Sequence, residues 1–199
     1  MKKINLLPIA CFIFLLLGCE KPLQYKYQDK PQLVTCPGAD KALMHEALYS
    51  FQEDIGAYYN KFTDYKKGST TYYIEAYKQF VYVGFIGEAN YKEIVTPHTL
   101  QVLKKLKENK TLWTLEKNKS KLNYSHEYVS CLFENISDED MRTRLKSLLE
   151  VNYLSPEIVA EPMRVEVLKI VGDEHLAMYM MLDAYYQYLM DIDFSNTVK

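Results

Sequence analysis

The chain is poor in the residues that most often carry chemistry, with four cysteines, four histidines, one tryptophan and seven glycines among 199 residues. Its glycines form neither a Gly-x-Ser-x-Gly elbow nor a phosphate-binding loop, which removes the common serine-hydrolase and nucleotide-binding signatures. No two histidines stand four apart with a glutamate after the first, so the zincin pattern is missing. The Glu-x-x-His spacing of bundle-core di-iron sites is missing too. No apolar run approaches the ~20 residues that a membrane-spanning helix needs; the longest, Ile9 to Leu17, has nine. There is no excess of basic charge, as 24 Lys and Arg stand against 26 Asp and Glu. A phosphate-binding face normally makes a domain basic, so nucleic acid is an unsuitable partner.

What is present begins at the amino end. Lys2 and Lys3, the apolar run Ile9–Leu17 and then Leu16-Leu17-Gly18-Cys19 have the order of an export signal: charge, a short hydrophobic stretch, and a processing site. The run is half the length of a membrane span, which makes it a signal rather than an anchor helix. In these residues the chain resembles the bacterial lipoprotein class, with Leu16 three positions before Cys19 and the small Gly18 directly before it. The resemblance covers about a tenth of the chain and implies that residues 1–18 are removed and that Cys19 carries acyl chains. It also implies an envelope location, attached to the lipid membrane through acylated Cys19. Each buried methylene contributes ~0.8 kcal/mol, so two or more chains hold durably. In the best-known sorting scheme of that class Asp after the cysteine retains the protein in the inner membrane; Glu20 stands here, which favours the outer membrane.

Cleavage after residue 18 leaves 22 basic and 26 acidic side chains, a mild net charge of −4. Cys11 departs with the signal and Cys19 is acylated. Cys36 and Cys131 then remain as an even pair in an oxidising compartment, expected to form a disulfide, with two unrelated thiols as the alternative. Without a neighbouring histidine they make a poor zinc site.

Residues 19–38 contain Pro22, Pro31 and Pro37 with little periodicity and read as an extended tether, able to reach ~60 Å if fully stretched. Residues 39–199 read as one all-α domain, a bundle of six or seven helices. Leu43, Ala47, Phe51, Ile55 and Tyr58 or Tyr59 mark a first helix capped by Asp40 and running to about Tyr65. A second is expected from Thr70 to about Ala89, although Val81–Gly87 is also compatible with a buried strand. Thr96-Pro97 opens a third, to about Asn109. Another is expected from Lys119 or Ser120 to Ile136, one from the Ser137–Asp140 cap, and one from Ser155-Pro156 that Pro162 kinks or restarts. The last, Asp173 to about Ile192, is apolar on nearly every side, as a helix central to its bundle would be.

Three readings of function follow. In the first, the domain is a binding or accessory module for another envelope protein, without catalysis or cofactor. In the second, Tyr73, Tyr77, Phe80 and Tyr185 line an aromatic pocket for a glycan fragment or lipid. In the third, His45, Glu46, Glu53 and His126 converge on a metal or a hydrolytic centre. This reading is weakened because adjacent helical residues point about 100° apart. One further feature stands out: between Lys104 and Lys121 there are seven lysines, Lys104, Lys105 and Lys107 among them, against two glutamates, with Trp113 in the centre. It reads either as a solvated loop and helix end or as a patch for anionic headgroups or an acidic partner.

Overall fold

A computed structural model describes residues 22–195, so the signal and Cys19 lie outside the described residues. The fold is mostly helical, with one two-stranded sheet. Helix α1 (Lys41–Tyr59) starts where Asp40 accepts the amide of Leu43, and α2 (Thr70–Gly84) where Ser69 accepts that of Tyr72. The two cross closely at Gly56, where a Cβ would stand 2.5 Å from the Tyr72 ring. A short α3 (Tyr91–Ile94) leads to α4 (Pro97–Leu106), whose Thr96 cap and Pro97 match the expected start.

The first departure from the expected helices follows. Trp113–Glu116 (β1) and Lys119–Leu122 (β2) form an antiparallel hairpin, pairing Trp113 with Leu122 and Leu115 with Ser120. Its two-residue turn places Lys117 and Asn118 at φ 50° and 63°, the twist that hairpins prefer. Hence the helix expected from residue 119 is confined to α5 (Glu127–Glu134). The hairpin's outer edge is closed by distant side chains, since Gln187 accepts the Leu122 amide at 2.6 Å and Asp191 accepts that of Ser120 at 3.0 Å.

Helix α6 (Glu139–Glu150) is capped by Asp138, and α7 (Pro156–Val165) runs through Pro162; the break falls later, at Glu166, before α8 (Val167–Gly172). Asp173 caps α9 (Glu174–Met180), which continues without interruption through a π-helical segment (Met181–Tyr186) into α10 (Gln187–Leu189). Every residue from Leu176 to Gln187 is buried. This rod packs on α1, α2, α5, α8 and β2, which is why it needs no polar face. Helices α1 and α2 end earlier than their apolar stripes suggest; Gly87, at φ +74°, turns the chain after α2 and leaves room for the Tyr188 ring.

Residues 22–38 form neither helix nor strand, yet they are not a free tether. Val34 and Cys36 are buried, Leu23 packs on the core, and Cys36 is bonded to Cys131 across 95 residues. The segment is a strap laid across α1.

Candidate functional site

The strap is gripped by two adjacent residues of α1. Glu46, fully buried, accepts the amide of Lys26 at 2.6 Å and that of Tyr27 at 3.2 Å. His45 donates Nε2–H to the carbonyl oxygen of Tyr27 at 2.7 Å. Neighbouring helical side chains diverge, so they cannot converge on one ion, but they can straddle a backbone that crosses the helix. His98 of α4 completes the clamp by donating to Glu46 at 2.6 Å, and its ring meets Tyr27 edge-on at 5.9 Å. Burial holds the His98 pKa below its ordinary value, against the opposing pull of Glu46. Farther along, the Tyr27 hydroxyl donates to Glu53 at 3.0 Å, and Glu53 pairs with Lys67 at 2.9 Å.

Two more carboxylates sit inside the fold. Asp54 accepts from the hydroxyls of Thr99 and Tyr185, the latter at 2.7 Å, and burial raises its pKa to about 6. Asp183, in the π-helical segment, accepts from Tyr179 at 2.8 Å and Tyr124 at 2.9 Å, and burial raises its pKa to about 7. In both cases the hydroxyls favour the anion and only partly offset desolvation. Asp54 borders a shallow groove with Tyr58, Lys61, Glu93 and Thr96, whereas Asp183 lines none of the grooves described.

Against the expected sites, the structure separates rather than gathers. Of the metal or hydrolase set, only His45 and Glu46 are neighbours; Glu53 serves Tyr27 and Lys67, and His126 caps α5 and contacts Thr111 at 3.1 Å. Among the described residues no group of three or more His, Cys, Asp or Glu side chains is placed to hold a metal ion. Tyr77, Phe80 and Tyr185 are wholly buried around Phe51, with ring centroids 5.8, 5.1 and 5.0 Å away. They are core, not pocket wall. Tyr73 is half-buried beside Tyr72. The aromatic-pocket reading fails at these residues because a packed ring cluster leaves no space for a ligand.

The basic segment is organised differently. Trp113 is half-buried, its indole N–H donating to the carbonyl of Leu106 at 3.0 Å. The rest of the ring faces a groove of about 510 Å³ with Lys107, Lys110, Leu115 and Met190. A second groove of about 340 Å³, sharing Lys107, adds Leu100, Leu103, Lys104 and Phe194. Lys105 turns to Glu108, at 3.0 Å. Sequence reasoning found Lys104, Lys107 and Trp113 but not the apolar floor, because Met190 and Phe194 arrive from the far end of the chain. His98, which closes the clamp, left no linear signal either, standing 52 residues from Glu46.

Compared with known proteins, the chain matches no protein-family model, no curated protein and no solved structure.

Proposed function

We propose that this chain is a cell-envelope lipoprotein, acylated at Cys19 and attached to the outer membrane, that acts by binding another envelope protein and not by catalysis. Three features support the reading: the Leu16-Leu17-Gly18-Cys19 signal, the strap that ties the residues after it to the fold, and an unburied apolar surface. The surface is the observation that carries it. Tyr82 on α2, Val165 at the end of α7 and Leu168 on α8 are 63, 70 and 61% exposed, and Arg164 lies over the Tyr82 ring at 5.8 Å. Tyrosine and arginine are enriched among the side chains that anchor protein interfaces, the tyrosine because it buries a large ring with two torsions to freeze and the arginine because its planar guanidinium stacks and donates several hydrogen bonds. Helices α7 and α8 pack on α2, while α4 packs on α1, so this surface and the lysine groove belong to different flanks of the α1–α2 pair.

A photo-reactive residue at position 82 or 165, introduced into the lipidated chain in intact membranes, is expected to give one discrete protein adduct. Val165→Glu should abolish the adduct made from position 82. Labelling of lipid alone, or no adduct from either position, would refute the partner reading.

A further inference from the structure

We infer that the α4–hairpin face, with its lysine-rimmed apolar groove, lies on an anionic phospholipid surface as a second membrane contact beside the acylated cysteine. The inference rests on the lipid-anchor reading and adds an orientation to it.

The direction of the strap is the first argument. Tyr27 stands against His98, in the first turn of α4. Two residues earlier, burial and then Asp40 and Glu46 raise the Tyr25 pKa, and the Lys105 ammonium opposes them more weakly. His98 and Lys105 are seven residues apart, ~10 Å along a helix. Read back toward the amino end, the strap therefore runs along α4 toward its carboxyl end, where Lys104 and Lys107 stand. Cys19 lies three residues before Pro22, a reach of at most ~11 Å. Acyl chains on Cys19 would enter the bilayer within that distance of the start of the strap.

Charge is the second argument. Residues 104–121 carry seven lysines and two glutamates, on a chain whose total after cleavage is −4. Glu108 and Glu116 pair with Lys105 and Lys121 of the same segment. Among the described residues Asp193 lines the second groove, and Asp191 is held by Ser120 of the first. A basic face on an acidic body turns toward an anionic surface.

The composition of the groove is the third. Met190 lines the first groove with Lys110, Leu100, Leu103 and Phe194 line the second, Lys107 borders both, and Leu115, 77% exposed, projects from the hairpin beside Trp113. A tryptophan tied to the backbone by its N–H, with lysines around it, is the arrangement that seats at the boundary between headgroups and acyl chains.

Trp113 is the sole tryptophan, so its emission reports on this face alone. The full lipidated protein is reconstituted into vesicles of brominated phosphatidylcholine, with and without phosphatidylglycerol, and both Trp113 quenching and co-flotation are read. The expected result is quenching and a blue shift that require phosphatidylglycerol and diminish with added salt. In Lys107→Glu/Lys110→Glu the quenching falls to the neutral-lipid level, while co-flotation and helix content are unchanged. Equal quenching in both lipids, or quenching indifferent to the double substitution, overturns the docking. So does shielding of Trp113 from aqueous iodide that grows with protein concentration and needs no anionic lipid, since a second copy would then cover the face. Failure of the wild-type chain to float overturns the anchor reading itself, and the orientation falls with it.

Discussion

Replacing Asp183 with asparagine isolates the electrostatic cost of the carboxylate in the central rod. Burial raises its pKa from 3.8 to about 7, against the hydroxyls of Tyr179 and Tyr124; Lys121 and Glu157 also face it, with opposite signs. Between those two values the folded protein binds a proton that the unfolded chain has released. The stability this group contributes is therefore fully present below about pH 4 and is lost as pH rises through 7. At ~1.4 kcal/mol per pKa unit, the full difference is ~4 kcal/mol, of which ~2.5 kcal/mol falls between about pH 5 and about pH 8. Asp54, with its pKa near 6, acts in the same direction and adds ~1.4 kcal/mol over that interval. Asparagine does not titrate. Its oxygen can accept from Tyr179 and one N–H can donate to the Tyr124 hydroxyl oxygen, but the second buried N–H is left over, so Asp183→Asn is expected to be ~1–3 kcal/mol less stable than wild type at low pH. At the higher pH the gap closes or inverts. Urea unfolding with the disulfide intact measures this, as ~2.5 kcal/mol corresponds to a midpoint shift of about 1 M for a chain of this size. If wild type and variant lose the same stability between the two pH values, Asp183 is not the buried, proton-holding group described, and the reasoning fails.

In Glu46→Gln the amide oxygen can keep the Lys26 and His98 donors only by turning the NH₂ against the Tyr27 amide, and the flipped amide loses the other two, an expected loss of ~2–4 kcal/mol; tryptic cleavage at Lys26 should accelerate before global unfolding, and an unchanged rate would contradict the clamp. Cys131→Ser opens a cross-link between residues 95 apart, and the chain-entropy model gives ~4.7 kcal/mol for a loop of about that length. At ~2–4 °C per kcal/mol, calorimetry should show a fall in Tm of about 10 °C or more, and a fall under ~2 °C would argue against it.

Apart from α5, capped by His126, helix starts were legible where one residue performs the capping. Asp40, Thr96, Asp138 and Asp173 all accept the amides that their positions predict, because a cap is a contact over three residues and needs no tertiary help. Helix ends were less so: the expected first and second helices outrun α1 and α2 by several residues, since the final turns depend on what packs against them. The β-hairpin was missed for a non-local reason. Its strands are four residues long, its turn uses Lys117 and Asn118 instead of glycine, and its outer edge is satisfied by Gln187 and Asp191. The same holds for the strap: Pro22, Pro31 and Pro37 correctly exclude helix, but only Glu46, His45 and the Cys36–Cys131 bond decide that an extended segment is docked.

By itself the sequence determined the mostly helical class, most cap positions, the pairing of Cys36 with Cys131, and a basic segment around a lone tryptophan. These follow from local spacing, from elimination and from composition. Tertiary structure alone decided which polar residues are structural and which surface is available. Tyr77, Phe80 and Tyr185 became core because Phe51 fills the space between them. His45 and Glu46 became a clamp because a backbone crosses α1 at that point, and the lysines gained an apolar floor because residues 190–194 return to α4. Burial and convergence depend on distances between segments far apart in the chain, and these are set only when the core closes.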